Sequence, residues 1–294
     1  MKIFVCLFVL SLLLLVAPAG RRAQQKAPAA LDPLARCSQR LVPYAEWSAL
    51  KDPSFSLDLP VAQGARLVYL GARHSTDIAD PQFDEIERAW NALKPAVAFY
   101  EGPNRPVAAT REETIRQTGE SGFVRFLAAR DGVPFVTLEP SPQDEAAFVL
   151  KEFPADQVEL FYVLREAARL RDRRKLAGAE LDGAVAKLLE RAAAMTGAAP
   201  FTTIDGLDAA YRRYWTAPAD WRLAPPAWFD PLKTSKETGG LFTNDINRLT
   251  SEYRNLHMYT SLARAALEGK RVFAVVGRNH VPMQAPALRC ALSK

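Results

Sequence analysis

The sequence predicts an α/β fold, with a central, mostly parallel sheet flanked by helices and a helical insertion in the middle of the chain. In the first half, short apolar runs of strand character alternate with amphipathic segments, which is typical of β-α-β units. A Gly-x-x-His unit occurs twice, as Gly71–His74 and Gly277–His280, each directly after such a run. The chain has only three histidines, so two at equivalent positions suggest a shared role beyond the carboxyl ends of the strands, where open α/β sheets bind ligands.

The strands and helices follow from apolar spacing and from start and stop signals. The predicted strands are 67–70, 96–100, 134–138 and 272–276. The predicted helices of the sheet region are one that begins after Asp80-Pro81, one that contains Phe123 and Leu127, and one over 244–268 that Gly269 ends.

The middle of the chain, about 155–235, is predicted to form a helical insertion over the sheet. Apolar residues recur at helical spacing over 156–174 and 176–195, whereas 215–233 contains three tryptophans among several prolines. That last segment could be an aromatic groove for an extended ligand or a packed irregular segment. The second interpretation is favoured because tryptophans are usually buried.

The first residues have the features of a targeting segment. A positive start, an apolar run over 3–16 and the site Ala17-Pro18-Ala19 predict a cleaved signal peptide over 1–19 and export to the periplasm or the medium. A membrane anchor is the alternative, but the run is shorter than the about 20 residues of a spanning helix. No stable anchor is therefore expected after cleavage, and 20–36 is predicted to be a flexible linker.

Residues 37–294 are predicted to form a single domain that is closed by a disulfide. The cysteines outside the leader are Cys37 and Cys290, and such a pair in an exported chain favours a bond. A bridge over so long a loop stabilises by about 4–5 kcal/mol in the entropic view. The alternative is two unrelated buried thiols.

The net charge of +5 comes from dispersed residues, apart from a basic run at 169–175 that is predicted to be a solvated helix face. Dispersed charge and export both argue against nucleic acid as a partner. The expected ligand is a peptide or a small molecule.

Each predicted strand of the parallel sheet is followed by a side chain that can bind a metal or move a proton. These residues are His74, Glu101, Glu139 and His280. Because the carboxyl ends of parallel strands lie at one edge, the four are expected to form one site. Arg254 and His257 lie three residues apart on the helix that precedes the last strand, and they are the further catalytic candidates.

The residues beside the two histidines are expected to shape the same site. Gly71 and Gly277 are predicted to permit unusual backbone angles and a close approach after each strand. Arg73 is predicted to contact a bound ligand together with these glycines.

At these residues the chain resembles the TraB/GumN/Tiki family, within the superfamily of ChaN-like and erythromycin-esterase-like proteins. The family's hallmarks are two Gly-x-x-His motifs, a glutamate after the second strand, and an Arg-Asn pair in the helix before the second motif. The matching residues are Gly71–His74, Glu101 in Phe99-Tyr100-Glu101-Gly102, Arg254-Asn255 with Met258, and Gly277–His280. The resemblance covers about 62–290, and the middle is only loosely similar.

The resemblance implies an α/β domain with a metal-dependent, peptidase-like hydrolase site. A divalent metal ion would be held by His74, Glu101 and His280, leaving one position open for water. Glu139 is the candidate general base, and Arg254 would stabilise the developing oxyanion.

The ChaN-like branch implies a different class, a protein that binds haem or another anionic ligand without catalysis. The sequence departs from the usual family pattern at Arg73, at Arg278-Asn279 and at Pro282. The added positive charge disfavours a bare divalent cation and suits an anionic ligand. A third interpretation is a degenerate member of the family with a structural role. All three interpretations stay open at the level of sequence.

Overall fold

The computed structural model describes residues 32–47 and 49–293, and it has the α/β architecture that the sequence predicts. A five-stranded sheet has the order β1-β2-β5-β3-β4. Its strands are β1 Ser56–Pro60, β2 Arg66–Ala72, β3 Val97–Tyr100, β4 Phe135–Thr137 and β5 Arg271–Gly277. β1 is an antiparallel edge strand, and the other pairs are parallel.

The last strand along the chain lies at the centre of the sheet. β5 pairs with β2 on one side and with β3 on the other, so that Val272 is opposite both Leu67 and Val97. The register aligns Ala72 with Gly277. The segments that follow these strands therefore leave the sheet at one edge, which carries the predicted site.

The described ranges contain eleven α-helices. They are α1 Pro33–Ser38, α2 Tyr44–Trp47, α3 Gln82–Leu93, α4 Arg111–Asp131, α5 Pro142–Val149, α6 Ala155–Arg174, α7 Gly178–Thr196, α8 Ile204–Arg212, α9 Ser235–Thr238, α10 Thr243–Leu267 and α11 His280–Leu292. Short 3-10 turns occur at Ala62–Gly64, Trp221–Leu223 and Pro226–Phe229. Over the described residues, none of the helices is long and apolar enough to cross a membrane.

Alternation of side chains along the strands gives the sheet two buried faces. One face packs against α3 and α4 through residues such as Val68, Phe273 and Trp90. The other face packs against α1, α10 and α11 through residues such as Tyr69 and Ala274. The sheet is thus the middle layer between two layers of helices.

The helical middle of the chain has a hydrophobic cluster of its own, built from residues between Val149 and Ile246. Trp215, Trp221 and Trp228 are all buried in it, so the prediction of a packed irregular segment is confirmed. α10 belongs to both regions, because Ile246 packs in the helical cluster and Met258 packs under the sheet.

The predicted disulfide is confirmed: Cys37 in α1 is bonded to Cys290 in α11, with their Cα atoms 5.6 Å apart.

The linker predicted over 20–36 is wrong at its end. α1 begins at Pro33, and Leu34 is buried, because the disulfide and an apolar contact hold this turn against the fold. The predicted signal peptide and the first part of the linker lie outside the described residues. The edge strand β1 was not predicted, although Ser-Leu-Asp-Leu-Pro alternates between exposed and buried residues.

Candidate functional site

Glu101, at the end of β3, is the centre of the candidate site. Its Oε1 accepts a hydrogen bond from Arg254 Nη2 at 2.9 Å and lies 3.5 Å from His280 Nε2. Its Oε2 accepts from the backbone N–H of Gly277 at 2.6 Å. Burial by itself would raise the pKa of Glu101, but His280, Arg254 and the Gly277 amide outweigh that effect and hold this pKa well below its usual value. Glu101 is therefore a carboxylate at neutral pH.

Gly277 lets His74 approach Glu101. A Cβ at Gly277 would lie 3.0 Å from His74 Nε2 and 3.1 Å from Glu101 Oε2. Gly71 has a different neighbour, since its Cβ would lie 2.6 Å from the Cα of Arg278. Neither glycine has a positive φ. The expectation of a close approach is confirmed for both glycines, and the expectation of unusual backbone angles is wrong.

His74 is oriented by Glu120, a residue of α4 that the sequence analysis did not find. The His74 Nδ1 atom lies 2.6 Å from Glu120 Oε1, and this hydrogen bond raises the pKa of His74. The His74 side chain is 73% exposed, whereas the Glu120 side chain is 9% exposed. The imidazole is thus accessible to a ligand while a buried carboxylate fixes its orientation.

A bend in α4 brings Glu120 to His74. Gly119 has φ 58 and ψ −144 inside the helix, and a Cβ there would lie 2.6 Å from the carbonyl oxygen of Ser75. Only glycine permits both the angle and the contact. A glycine inside a helical pattern was the one sequence signal that could have indicated this position.

His280, at the start of α11, is oriented by Asn255 of α10. The Asn255 Oδ1 atom lies 2.8 Å from His280 Nδ1 and also accepts from Gln284 Nε2 at 2.8 Å. Because Asn255 Oδ1 is an acceptor, Nδ1 of His280 carries the proton. This hydrogen bond fixes the ring so that Nε2 faces Glu101. His280 and Asn255 are both buried. The Arg-Asn pair of the sequence motif thus acts on two neighbours, Arg254 on Glu101 and Asn255 on His280.

Arg254 joins the two glutamates that follow β3 and β4. Its Nε and Nη2 atoms donate to Glu139 Oε2 and Oε1 at 3.0 and 2.8 Å, which is the bidentate geometry of a strong pair. Burial by itself would lower the pKa of Arg254. The charges of Glu139 and Glu101 outweigh that effect and hold this pKa above its ordinary value. Glu139 as a general base stays a prediction, to which the structure adds that both of its oxygens are bound by Arg254.

His257 lies one helical turn beyond Arg254 and is half-buried. No hydrogen bond joins it to Glu101, His74 or His280 in the part of the chain that the structure describes. Burial is the main cause that lowers the pKa of His257. The structure therefore brings together His74, Glu101, Glu139, Arg254 and His280, and leaves His257 beside the group.

His74 stands between two open clefts. The first, of about 400 Å³, is lined by Tyr44, Arg73, Gly277, Arg278 and His280 among others. Tyr44 is half-buried there, and burial raises the pKa of its hydroxyl, so the group keeps its proton and can donate a hydrogen bond.

The second cleft, of about 550 Å³, lies on the side of α4. It is lined by Glu101, Glu120 and Glu139 and by the guanidinium groups of Arg105, Arg125 and Arg173. The expectation that the basic run at 169–175 is a solvated face is wrong for Arg171, which is partly buried, whereas Arg173 is exposed as expected. Arg171 donates to the backbone carbonyls of Arg222 and Ala224, and Arg173 reaches this cleft.

Within the described residues, no three or more His, Cys, Asp or Glu side chains are grouped so that they could hold a metal ion. Comparison with protein-family models, with curated proteins and with solved structures finds no match for this chain. The class that the fold and the site define is an α/β protein with a His-Glu-His-Arg cluster at the carboxyl edge of its sheet.

Proposed function

We propose that the protein is an exported, metal-dependent hydrolase of the TraB/GumN/Tiki type that acts on a peptide or another amide or ester. One observation carries this proposal: both imidazoles are held through Nδ1, and both Nε2 atoms lie near Glu101. His280 Nε2 is 3.5 Å from Glu101 Oε1, and His74 Nε2 and Glu101 Oε2 lie 3.0 and 3.1 Å from the same Cβ position at Gly277. Histidine ligands of metals are usually held in this way, with a carboxylate or an amide oxygen on the other ring nitrogen. The Cys37–Cys290 bond is compatible with export.

The donor set fits a divalent ion in two respects. His280 Nε2 and Glu101 Oε1 are 3.5 Å apart, and adjacent ligands of a tetrahedral zinc ion with bonds of 2.0–2.1 Å are about 3.4 Å apart. The hydrogen-bonded group also contains three carboxylates and one guanidinium. These carboxylates and the guanidinium together carry two negative charges, which a divalent cation would balance.

When bound by His74, Glu101 and His280, such an ion would polarise a carbonyl group and lower the pKa of a bound water. The side chains around it have separate tasks. Arg254 holds Glu101 and Glu139 in place. Tyr44 can donate a hydrogen bond to an oxyanion from the other side of His74. Glu120 fixes the ring of His74 through Nδ1, which leaves Nε2 beside Gly277.

Metal content tests the proposal without reference to a substrate. Protein without a histidine tag, purified without chelators, is expected to contain about one equivalent of a divalent metal by plasma mass spectrometry. Glu101→Gln and His280→Gln should lower that content by about 10-fold or more, in the range seen for loss of a ligand or its orienting partner. His257→Gln is the matched control, since His257 has no hydrogen bond to the cluster. Equal metal content in all four proteins, or none in the wild type, would contradict the proposal.

Activity gives a second test. Glu101→Gln should lower kcat/KM on a susceptible peptide or ester by at least about 100-fold, because the amide lacks the charge that holds the ion. The melting temperature should change little, since the amide oxygen can still accept from the Gly277 N–H. Glu112→Gln, on the exposed surface of α4, serves as the control. Full activity of the Glu101→Gln protein would exclude the proposed mechanism.

A second candidate function is the binding of haem or another anionic ligand without catalysis. It is favoured by the exposed imidazole of His74 and by Arg73 and Arg278, which line the same cleft. In that case Glu101→Gln should leave affinity for added haem nearly unchanged, whereas Arg73→Ala should weaken it. An absorption titration with haem measures both changes.

A further inference from the structure

The cleft beside α4 is lined by three arginines whose guanidinium groups have no carboxylate partner within the described ranges. Arg105 and Arg173 are exposed, and neither forms an ion pair there. The buried one, Arg125, is 1% exposed. A basic protein normally pairs such groups where acidic residues are near, as this chain does at Arg111 and Arg130.

Arg125 is the informative member of the three. Its Nε donates to the carbonyl of Ser121 at 3.2 Å, and its Nη1 donates to the carbonyl of Arg105. The guanidinium lies over the ring of Tyr100, 5.2 Å from the centroid. Its Nη2 donates to no described residue, although the residue forms part of the cleft wall.

This arrangement of Arg125 costs free energy unless an anion is bound. A buried charge that has only neutral acceptors remains largely uncompensated. Burial lowers the pKa of Arg125, and the nearby charge of Arg105 lowers it further. An anion in the cleft would offset both effects by its opposite charge, and a guanidinium matches the planar, bidentate geometry of carboxylate and phosphate groups.

The position of Arg125 relates it to the cluster around Glu101. Arg125 is five residues beyond Glu120 on the same helix, or about 7–8 Å along the axis. Arg125 also lies on Tyr100, which directly precedes Glu101. An extended peptide advances about 3.3–3.6 Å per residue. An anionic group of a peptide bound to Arg125 would therefore lie about two residues from the peptide residue that contacts His74.

We infer that the cleft formed by Arg105, Arg125 and Arg173 is an anion subsite that selects substrates with a carboxylate or phosphate about two residues from the reacting bond. The inference deepens the proposed function and rests on it only for the claim that the bound peptide is a substrate. The binding of an anionic peptide beside His74 does not depend on the proposed function. The anion lies on the guanidinium groups of Arg125 and Arg105 and is steered into the cleft by Arg173.

Fluorescence polarisation with labelled peptides of equal length tests the subsite. One peptide is neutral with both ends blocked, and the other three add an internal aspartate, an internal phosphoserine or a free carboxyl terminus. At least one charged peptide should bind more tightly than the neutral one, and the order of the three identifies the anion. Measurement with a chelator present keeps turnover from contributing. Equal binding of all four peptides overturns the inference.

Variants assign the effect to the three arginines. Arg105→Gln and Arg173→Gln should each weaken the binding of the charged peptide by about 2–5-fold, as for exposed ion pairs. Arg125→Met should weaken this binding by about 10-fold or more, as for a buried charged hydrogen bond. Arg116→Gln on α4 and Arg174→Gln on α6 are the controls, since both residues are exposed and do not line this cleft. If Arg125→Met fails to fold, the two exposed variants decide alone. Unchanged binding in both of them overturns the inference.

The two proposals fail in different ways. If the subsite is wrong, charged and neutral peptides bind alike, while metal content still depends on Glu101. If the hydrolase is wrong, metal content is independent of Glu101, while the charged peptide still depends on Arg105 and Arg173.

Discussion

Gly71 and Gly277 occupy equivalent positions in the two Gly-x-x-His motifs but meet different neighbours. At Gly71 the missing side chain leaves room for the backbone of Arg278, 2.6 Å from the Cβ position. At Gly277 it leaves room for His74 and Glu101, whose nearest atoms are 3.0 and 3.1 Å away. One glycine therefore serves the packing of β2 against the turn after β5, and the other serves the site.

Alanine at the two positions should separate these roles. Gly71→Ala should lower the free energy of unfolding by about 1–3 kcal/mol, because backbone atoms cannot move aside cheaply. Gly277→Ala should cost less stability, since the exposed His74 ring can shift, but should lower metal content by about 10-fold or more. Urea unfolding and metal analysis of both variants give the comparison. The same pattern of loss in both proteins would contradict this division.

The residues of the site were predictable only where they follow a strand or form a motif. His74, Glu101, Glu139 and His280 follow strands, and Arg254 belongs to a helix motif; all five lie together in the structure. Glu120 was not predictable, because its partner is 46 residues away along the chain and only a bend in α4 joins them. His257 was expected in the group because of its spacing from Arg254, but helical proximity alone did not bring it into contact.

At the scale of elements, the bend at Gly119 in α4 positions Glu120, and a substitution there tests its role. Gly119→Ala should destabilise the protein by about 1–3 kcal/mol, because a positive φ and a contact with the Ser75 carbonyl are both strained by a side chain. Gly132→Ala is the matched control: its φ of 65 is also positive, but the Cβ would meet nothing within 4 Å. Urea unfolding of both variants is the measurement, and a larger loss for Gly132→Ala would contradict the argument.

Glu159 in α6 makes stability depend on pH. Its side chain is 0% exposed, and neither carboxylate oxygen has a hydrogen-bond partner among the described residues. Burial raises the pKa of Glu159 from 4.5 to about 7. Between these values the folded state keeps a proton that the unfolded state has lost, so the free energy of unfolding falls as pH rises and is lowest above pH 7.

Glu159→Gln should remove this dependence. At pH 8 the variant should be more stable than the wild type, by up to about 3 kcal/mol, and near pH 4.5 the two should be similar. Glu190→Gln, exposed on α7, is the control and should follow the wild type. Thermal unfolding at a series of pH values measures the difference. A constant difference between Glu159→Gln and wild type at every pH would show that the carboxyl does not titrate as argued.

The sequence predicts the elements better than their arrangement. The strands with long apolar runs, β2 and β5, were found because they are buried on both faces, and the middle helices were found from their apolar spacing. The placement of β5 between β2 and β3 could not be predicted, because pairing partners depend on packing between distant segments. The start of α1 was mistaken for linker, because its local composition hides the contact of Leu34.

At the scale of the whole molecule, the Cys37–Cys290 bond joins residues 253 positions apart. In the entropic view, a loop of this length stabilises by on the order of 5 kcal/mol, which is an upper figure. Reduction with dithiothreitol should therefore lower the melting temperature of the wild type by several degrees or more. A Cys37→Ala, Cys290→Ala protein should melt at the reduced value with or without the reductant. An unchanged melting temperature of the wild type on reduction would contradict the assignment.

The central position of β5 has a consequence for how the protein matures. A ribosome completes β2, β3 and β4 long before β5, and so the strand that joins β2 to β3 is synthesised after both of its neighbours. Until then, β2 and β3 each have an unpaired edge, and Glu101 lacks its contacts with Gly277 and His280. The cluster around Glu101 therefore cannot assemble on the partly made chain, and the candidate site is completed only when the last segment is in place.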